Sequence, residues 1–329
     1  MKAIVFTKYG APDVLQLRSV EKPIPKDDEV LIRVRTATAT AASLAGRTGK
    51  PVFVRLFSGL TKPKKNILGQ ELAGEIEVIG RAVKRFKVGD KVFGMTGLGL
   101  GAQAEFKCMP EDGVLTTIPV NASYEEAVAV IEGGLTALNF LKHKANIQRG
   151  QKVLIYGASG SVGTASVQVA KYLGAEVTGV CSSANFKLVK SLGVDAVIDY
   201  TQEDFTKNGQ TYDIIFDTVG KCSFMRCKGS LSPTGIYLDA AGLGTILPMI
   251  WTSIFGGKKA ILATTYVGRP TKEILEDLIS LKELVEEEKI QPVIDRRYLL
   301  EETGEAYRYV ETGRKKGNVI ITVEYTNKT

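Results

Sequence analysis

Val153-Leu-Ile-Tyr-Gly157-Ala-Ser-Gly160-Ser-Val-Gly163 decides the fold. Val153 to Tyr156 reads as a short buried strand. Glycines follow at 157, 160 and 163, and a helical pattern runs from Ala165 to Leu173. Strand, tight glycine turn and helix together form the setting in which a glycine fingerprint holds a dinucleotide. Gly157 permits the sharp turn, Gly160 leaves backbone amides open to a pyrophosphate, and Gly163 lets the helix lie close to its strand. Ala158, Ser159, Ser161 and Val162 complete the loop and the helix start, where free N–H groups and a partial positive charge favour phosphate. The spacing is G-x-x-G-x-x-G rather than the commoner G-x-G-x-x-G, so the glycines alone would fit any α/β turn. The alternation that follows them favours the nucleotide.

Downstream, strands at 176–181, 196–199, 212–217, 235–239 and 260–265 alternate with helices at 184–192 and 221–231, which predicts a doubly wound parallel sheet. A long helix over 271–288 carries Thr271 as its cap and apolar residues at 274, 275, 278, 281 and 285. The tail changes character: a helix over 299–312, then Gly317-Asn-Val-Ile-Ile-Thr-Val as a strand with no helix after it. Such a strand can return to an earlier domain.

Upstream, residues 1 to about 125 are β-rich. Short strands begin near Lys2, Glu29, Gly69, Lys91, Gln103 and Val114, separated by Gly, Pro and Asp, which suggests a partly open barrel. Ser123 with Glu126 three residues on forms a capping box that starts a helix. Gly133-Gly134 interrupts the helical pattern before it resumes over 135–144.

At 329 residues, 44% hydrophobic and 24% charged, the chain fits a globular protein of two domains. Its net charge of +7 suits an anionic ligand. No basic run or motif points to nucleic acid. The N-terminus lacks a signal pattern and no apolar run spans a bilayer, so a cytoplasmic location is expected. Four scattered cysteines, Cys108, Cys181, Cys222 and Cys227, read as reduced thiols, and His143, the one histidine, leaves no zinc pattern. The apolar run Ile246 to Phe255 could form a dimer face, a substrate-pocket wall or a membrane-surface contact; burial within its own domain is the expectation.

Five stretches together make the chain resemble a zinc-free, quinone oxidoreductase-like medium-chain dehydrogenase/reductase over nearly its whole length. They are Gly69-Gln-Glu-Leu-Ala-Gly-Glu-Ile, Val88-Gly-Asp-Lys-Val-Phe-Gly, Gly133-Gly-Leu-Thr-Ala-Leu, Gly157-Ala-Ser-Gly-Ser-Val-Gly and Tyr309-Val-Glu-Thr-Gly-Arg-Lys-Lys-Gly-Asn-Val. The resemblance implies an α/β protein: a GroES-like, partly open β-barrel catalytic domain (1–123 and 296–329) and a Rossmann domain with a doubly wound parallel sheet (124–295), the nicotinamide lying in the cleft. It implies NADPH as cofactor, and besides the fingerprint it points to Thr136, Val219, Ala240, Val267, Lys316 and Asn318 as cofactor-binding. A homodimer is common in the family.

The family's zinc-dependent alcohol dehydrogenases hold a catalytic metal at positions that match Thr40, Gln70 and Glu132 here. Thr and Gln are poor zinc ligands, so no metal is expected. The family's Pro-x-Asp near the cleft is replaced by Ala41-Ala-Ser43. The expected chemistry is hydride transfer to a quinone or an α,β-unsaturated carbonyl. Glu132, if it faces the cleft, is the candidate proton donor, its other reading being a salt-bridged structural carboxylate; Ser43, whose other reading is a helix cap, and Gln70 are the candidate hydrogen-bonding groups for the substrate oxygen. The competing readings are an NADPH-binding sensor or crystallin-like protein without turnover, and a zinc-free alcohol or aldehyde dehydrogenase. NADPH is preferred over NADH because the second strand of the fold ends Gly179-Val-Cys-Ser-Ser-Ala-Asn-Phe-Lys187, without a carboxylate to repel a 2′-phosphate. Ser182, Ser183, Asn185 and Lys187 offer polar and positive partners there. By the resemblance, Tyr200 reaches the same phosphate.

Overall fold

The computed structural model describes residues 1–50, 55–240, 243–254, 256–262, 265 and 268–325. Its contacts divide the chain into two compact units. One comprises Met1–Ile131, Pro270–Glu288 and Pro292–Thr329, the other Glu132–Arg269 and Lys289–Gln291.

The first unit opens with β1 (Lys2–Val5), β2 (Gln16–Ser19), β3 (Glu29–Thr38), α1 (Ala41–Thr48), α2 (Arg55–Ser58), β4 (Glu71–Ile79), β5 (Lys91–Met95), β6 (Phe106–Pro110), β7 (Val114–Thr117) and α3 (Tyr124–Ala129). The helix α4 (Ile131–Ala137) leads into the second unit, which holds β8 (Lys152–Tyr156), α5 (Ser161–Tyr172), β9 (Glu176–Cys181), α6 (Phe186–Ser191), β10 (Ala196–Asp199), β11 (Tyr212–Asp217), α7 (Phe224–Cys227), β12 (Leu231–Asp239), α8 (Ile246–Ile254) and β13 (Lys259–Leu262). The first unit is completed by α9 (Thr271–Glu286), β14 (Ile294–Leu299), α10 (Thr303–Glu311) and β15 (Asn318–Thr322).

The first unit is a GroES-like, mainly antiparallel sheet in the order β14-β15-β3-β4-β5-β7, with β6 added to β3. The ten-residue β3 is buried along most of its length because it has neighbours on both edges: β4 and β6 pair with it, and β15 crosses antiparallel onto its end. Ile32, Val34, Leu72, Val92, Leu115, Val319 and Ile321 form its core, joined by Tyr307 from α10. Burial of this apolar surface at roughly 25 cal/mol per Å² is what holds the sheet closed on its contents. Ser123 caps α3 through the capping box read in the sequence, its hydroxyl accepting from the Glu126 N–H while the Glu126 carboxylate accepts from the Ser123 N–H.

The second unit is a six-stranded, wholly parallel sheet in the order β10-β9-β8-β11-β12-β13. Val153, Leu154 and Ile155 are fully buried, as a central strand covered on both faces requires. The chain reverses its direction of strand addition between β8 and β11. In open α/β sheets ligands bind beyond the strand ends at that switch point.

Four local expectations are corrected. The predicted helix over 221–231 is a single turn, α7, followed by a 3-10 turn, and Leu231 already belongs to β12. Pairing with β11 outweighs local propensity there. Pro270, not Thr271, occupies the cap position of α9; Thr271 is its first helical residue. Cys222 and Cys227 are joined as a disulfide across the single turn of α7 rather than standing as reduced thiols, with their Cα atoms 6.9 Å apart. Finally, the apolar run in α8 is not buried in its own unit: Leu247 is 78% and Ile254 71% exposed.

Candidate functional site

The switch point places two loops side by side. The first, Gly157 to Gly160, leaves the end of β8; the second, Thr218 to Cys222, leaves the end of β11. Gly157 has φ +86°, a conformation that favours glycine, and a Cβ there would lie 2.7 Å from Val219 and 2.8 Å from the Thr218 hydroxyl. Thr218 seals the contact by donating its hydroxyl to the Tyr156 carbonyl at 2.8 Å. A Cβ on Gly163 would fall 2.0 Å from the Gly157 carbonyl oxygen, so α5 can begin at this height only because residue 163 is glycine. A Cβ on Gly160 would meet nothing nearer than 3.5 Å. Gly160 is the N-cap of α5 and no side chain caps the helix. The positive end of the α5 dipole therefore faces the glycine loop with no side chain capping it, the setting in which a helix start holds phosphate. Ser159, Ser161 and Val162 flank it, while Ala158 is buried beneath.

The ends of β9 and β10 add the next group. Asn185 donates from Nδ2 to Ser159 (3.1 Å) and to Ser182 (3.4 Å), tying the glycine loop to the second strand. Its Oδ1 is buried and accepts no hydrogen bond among the described residues. An orphaned acceptor at this point suits a ribose hydroxyl. Tyr200 is half exposed, and its N–H donates to the Cys181 carbonyl at 3.3 Å. Lys187 is exposed on the first turn of α6.

One expectation fails here. A carboxylate is present after all: Asp199, at the end of β10, is in register with Cys181 and accepts from the Ser183 N–H at 3.1 Å. The N–H and hydroxyl of Thr201 also donate to it and hold its pKa below the usual carboxylate range. It comes from the neighbouring strand rather than from β9, so reading β9 alone could not find it.

Two buried acids, unforeseen in the sequence, close the carboxyl edge. Asp217 Oδ1 accepts from Val219 N–H (2.9 Å) and Gly220 N–H (2.8 Å), and Oδ2 from Cys222 N–H (2.7 Å). One side chain thus shapes the whole second loop and aims Val219. Burial pushes the Asp217 carboxyl above the usual range while those three N–H groups pull the other way. Asp239, its neighbour in register on β12, accepts from the Thr245 hydroxyl at 2.5 Å; Ala240 follows it, its N–H on the Asp217 carbonyl. The signal was available: an acid as the last residue of an apolar strand. Val267 lies outside the described residues.

Helix α4 is continuous through Gly133-Gly134. Gly133 is what lets it pack on α5, since a Cβ there would sit 2.6 Å from the Ser161 carbonyl oxygen. Glu132 and Thr136 consequently stand one turn apart on one face, and the Thr136 hydroxyl donates to the Glu132 carbonyl (2.7 Å) and pairs with the Thr265 hydroxyl (2.7 Å). Glu132 is half-buried.

In the first unit, Thr40 caps α1 and Ser43 lies in its first turn. The Thr40 oxygen accepts from Ser43 N–H (3.3 Å), and the two hydroxyls pair at 3.2 Å. Ser43 also hydrogen-bonds Tyr307, whose fully buried phenol is pushed up to about 12 chiefly by burial. Gln103 donates to the same phenol at 2.8 Å and to the Thr38 carbonyl at 2.9 Å, and the Thr38 hydroxyl donates to the Glu71 carboxylate. Gln70 is buried beside this network and donates to the Gly97 carbonyl at 3.3 Å. Lys316 is exposed, its N–H on Asp295; Asn318 heads β15 and donates to the Val293 carbonyl. A zinc does not fit these donors. The Thr40 hydroxyl is committed to its helix cap and the Gln70 amide to Gly97, and neither is a thiolate or an imidazole. Among the described residues no group of three His, Cys, Asp or Glu side chains is arranged to hold a metal.

Known proteins share this architecture. The model of the alcohol dehydrogenase GroES-like domain matches residues 26–120, and that of the zinc-binding dehydrogenase matches 192–321. The chloroplast envelope quinone oxidoreductase homolog of Arabidopsis thaliana is 31% identical over 338 residues, covering 98% of each chain. The chloroplastic NADPH-dependent alkenal/one oxidoreductase of the same plant is 27% identical over 344 residues, 98% of this chain and 79% of its own length. The solved structure of the quinone oxidoreductase from Coxiella burnetii superposes with a TM-score of 0.87 at 28% identity, covering 98% of this chain and 99% of that one.

Proposed function

This chain belongs to the medium-chain dehydrogenase/reductase superfamily, on its quinone oxidoreductase-like branch, and we propose that it is a zinc-independent, NADPH-dependent oxidoreductase that reduces a quinone or an α,β-unsaturated carbonyl. The observation that carries the reading is the open helix end at Gly160, set at the switch point of a parallel sheet and flanked by the orphaned acceptor of Asn185.

In this reading the amides of α5 hold the pyrophosphate, and Asn185 Oδ1 accepts from a ribose hydroxyl. Ser182, Ser183, Lys187 and Tyr200 surround a 2′-phosphate. Asp199 is engaged by the Ser183 N–H and by the Thr201 N–H and hydroxyl, and Lys187, exposed on the first turn of α6, supplies a positive charge for the phosphate. Val219 and Ala240 border the dinucleotide, and Thr136 is held beside the nicotinamide by its two hydroxyl contacts. When bound, NADPH supplies a hydride from the nicotinamide C4.

Without a Lewis acid the protein cannot strongly stabilise an alkoxide. A substrate that spreads the incoming charge over a conjugated oxygen needs only alignment, hydrogen bonds and one proton. Glu132, half-buried on the same helical face as Thr136, is our candidate donor of that proton. Ser43 and Gln70 are our candidates for hydrogen bonds to the substrate oxygen. Following NADPH absorbance with a panel of quinones, enones and simple carbonyls tests the proposal. Consumption with quinones or enones and not with simple ketones supports it. NADPH binding without turnover on any of them would make the chain a binding protein, and metal-free oxidation of simple alcohols would overturn the substrate class.

A further inference from the structure

Helix α8 is turned inside out. At 100° per residue, Ile246, Ile250, Ile254, Leu247 and Trp251 fill one arc of roughly 140°. All five are exposed, from 40% for Ile246 to 78% for Leu247. The opposite side carries Thr252, which is buried and accepts the Ala260 N–H at 3.1 Å, fixing the helix to β13. The helix is thus held to its sheet by a hydroxyl and presents its hydrocarbon outward. That is the reverse of the amphipathic rule for a helix packed on its own core.

Basic residues border the arc. Lys228 Nζ lies 5.0 Å over the Trp251 ring. Lys258 Nζ donates to the Lys228 carbonyl at 2.6 Å, which draws a second ammonium to the same edge, and Lys259 beside it is exposed. The side chains are Leu and Ile for the acyl boundary, a tryptophan at the level where amphipathic rings settle, and lysines where anionic headgroups stand. Among the described residues no helix is long and apolar enough to cross a bilayer, so the geometry is that of a helix lying in the surface.

We propose that α8, with Lys228, Lys258 and Lys259, is a docking face for an anionic lipid surface, on which the protein sits peripherally. Lysines set along an apolar arc call for an occupant that is both negatively charged and apolar, which anionic headgroups above acyl chains supply together.

Trp251 is the chain's only tryptophan, so its emission reports on the face directly. The full chain is mixed with vesicles of phosphatidylcholine alone, or of phosphatidylcholine with about a third phosphatidylglycerol, and followed by co-sedimentation and by Trp251 emission. Binding to the anionic vesicles with a blue shift is expected, and weak binding to the neutral ones. The double variant Lys258→Glu/Lys259→Glu should lose at least tenfold in partitioning, since each lysine near an anionic surface contributes about fivefold. Leu247→Glu/Ile254→Glu should abolish binding while melting with the wild type, because both side chains are solvent-exposed. No binding to anionic vesicles at low salt would overturn the proposal, as would unchanged partitioning of the Leu247→Glu/Ile254→Glu variant. So would a lipid-free self-association, seen by sedimentation velocity, that shifts Trp251 emission and disappears in that variant.

Discussion

Gly160, the N-cap of α5, and Gly163, in its first turn, lie three residues apart, and the structure separates their roles. In Gly163→Ala the new Cβ would fall 2.0 Å from the Gly157 carbonyl oxygen and 2.8 Å from the backbone of Ala158. Ordinary carbon–oxygen contact is about 3.3 Å, so α5 and the turn must part by about 1.3 Å. That carbonyl also accepts the Gly160 N–H, so the movement breaks the turn itself. Overpacking against backbone, which cannot rotate away, places the cost near 3 kcal/mol, equivalent to a fall in Tm of about 6–12 °C. Gly160→Ala is different. The residue has φ −79°, open to any side chain, and its Cβ would meet nothing within 3.5 Å. Its stability should change by less than about 1 kcal/mol. Its methyl, however, would stand where the pyrophosphate approaches, and the Kd for NADPH should rise at least about tenfold. Thermal melts and NADPH fluorescence titrations on both variants give the result. A Gly163→Ala variant that melts with the wild type would refute the packing argument, and a Gly160→Ala variant that binds NADPH normally would refute the placement of the phosphate.

Lys187→Ala should weaken NADPH about tenfold and NADH little, and Asp199→Asn should shift preference further toward NADPH; paired titrations of both nucleotides check the two. Glu132→Gln should lower kcat more than it raises the Kd for NADPH, and equal turnover by the two enzymes in a stopped-flow single turnover would remove Glu132 as proton donor. Activity should survive a strong chelator, with metal analysis of the active protein finding no stoichiometric zinc. Burial pushes the thiols of Cys108 and Cys181 up to about 11, so at pH 8 roughly one in a thousand is thiolate. Iodoacetamide should leave both unlabelled at pH 8 and label the half-buried Cys108 progressively as pH rises, while the buried Cys181 is reached only when the protein unfolds; mass spectrometry counts the adducts.

The parallel sheet and the glycine turn were legible because period and punctuation agree there. Val153 to Tyr156 has the apolar run of a central strand, and three glycines at fixed offsets leave little else to build. The capping box at Ser123 was legible for the same reason, being a signal four residues long. Helix α7 was misread because pairing with β11 claims Leu231 for a strand, and no local pattern announces a partner that far away. The reduced-thiol reading of Cys222 and Cys227 failed because it counted cysteines and did not weigh the short turn of α7 that lies between these two. Helix α8 was misread in the opposite sense. Its composition is that of a core helix, and only the tertiary position of Thr252 turns the apolar side to solvent.

The acids show where a one-dimensional reading must stop. A dinucleotide site is judged in sequence by the last residues of the second strand, and Cys181-Ser-Ser-Ala-Asn185 contains no acid. In space that strand end belongs equally to β10, because parallel register sets Asp199 against Cys181 and its carboxylate on the Ser183 N–H. In the proposed reading, cofactor preference is a contest between neighbours: Lys187 and the serine hydroxyls on one side, one ionised, hydrogen-bonded carboxylate on the other. Asp217 follows the same logic. Nothing in Thr218-Val-Gly-Lys-Cys222 specifies a rigid loop, and its order comes from three N–H groups converging on an acid that precedes them. A loop organised by a buried side chain is as well placed as one built of glycines, and in this fold the two lie in contact at Gly157 and Val219. The turn is readable from its own residues. The loop becomes readable once strand order brings Asp217 level with Tyr156.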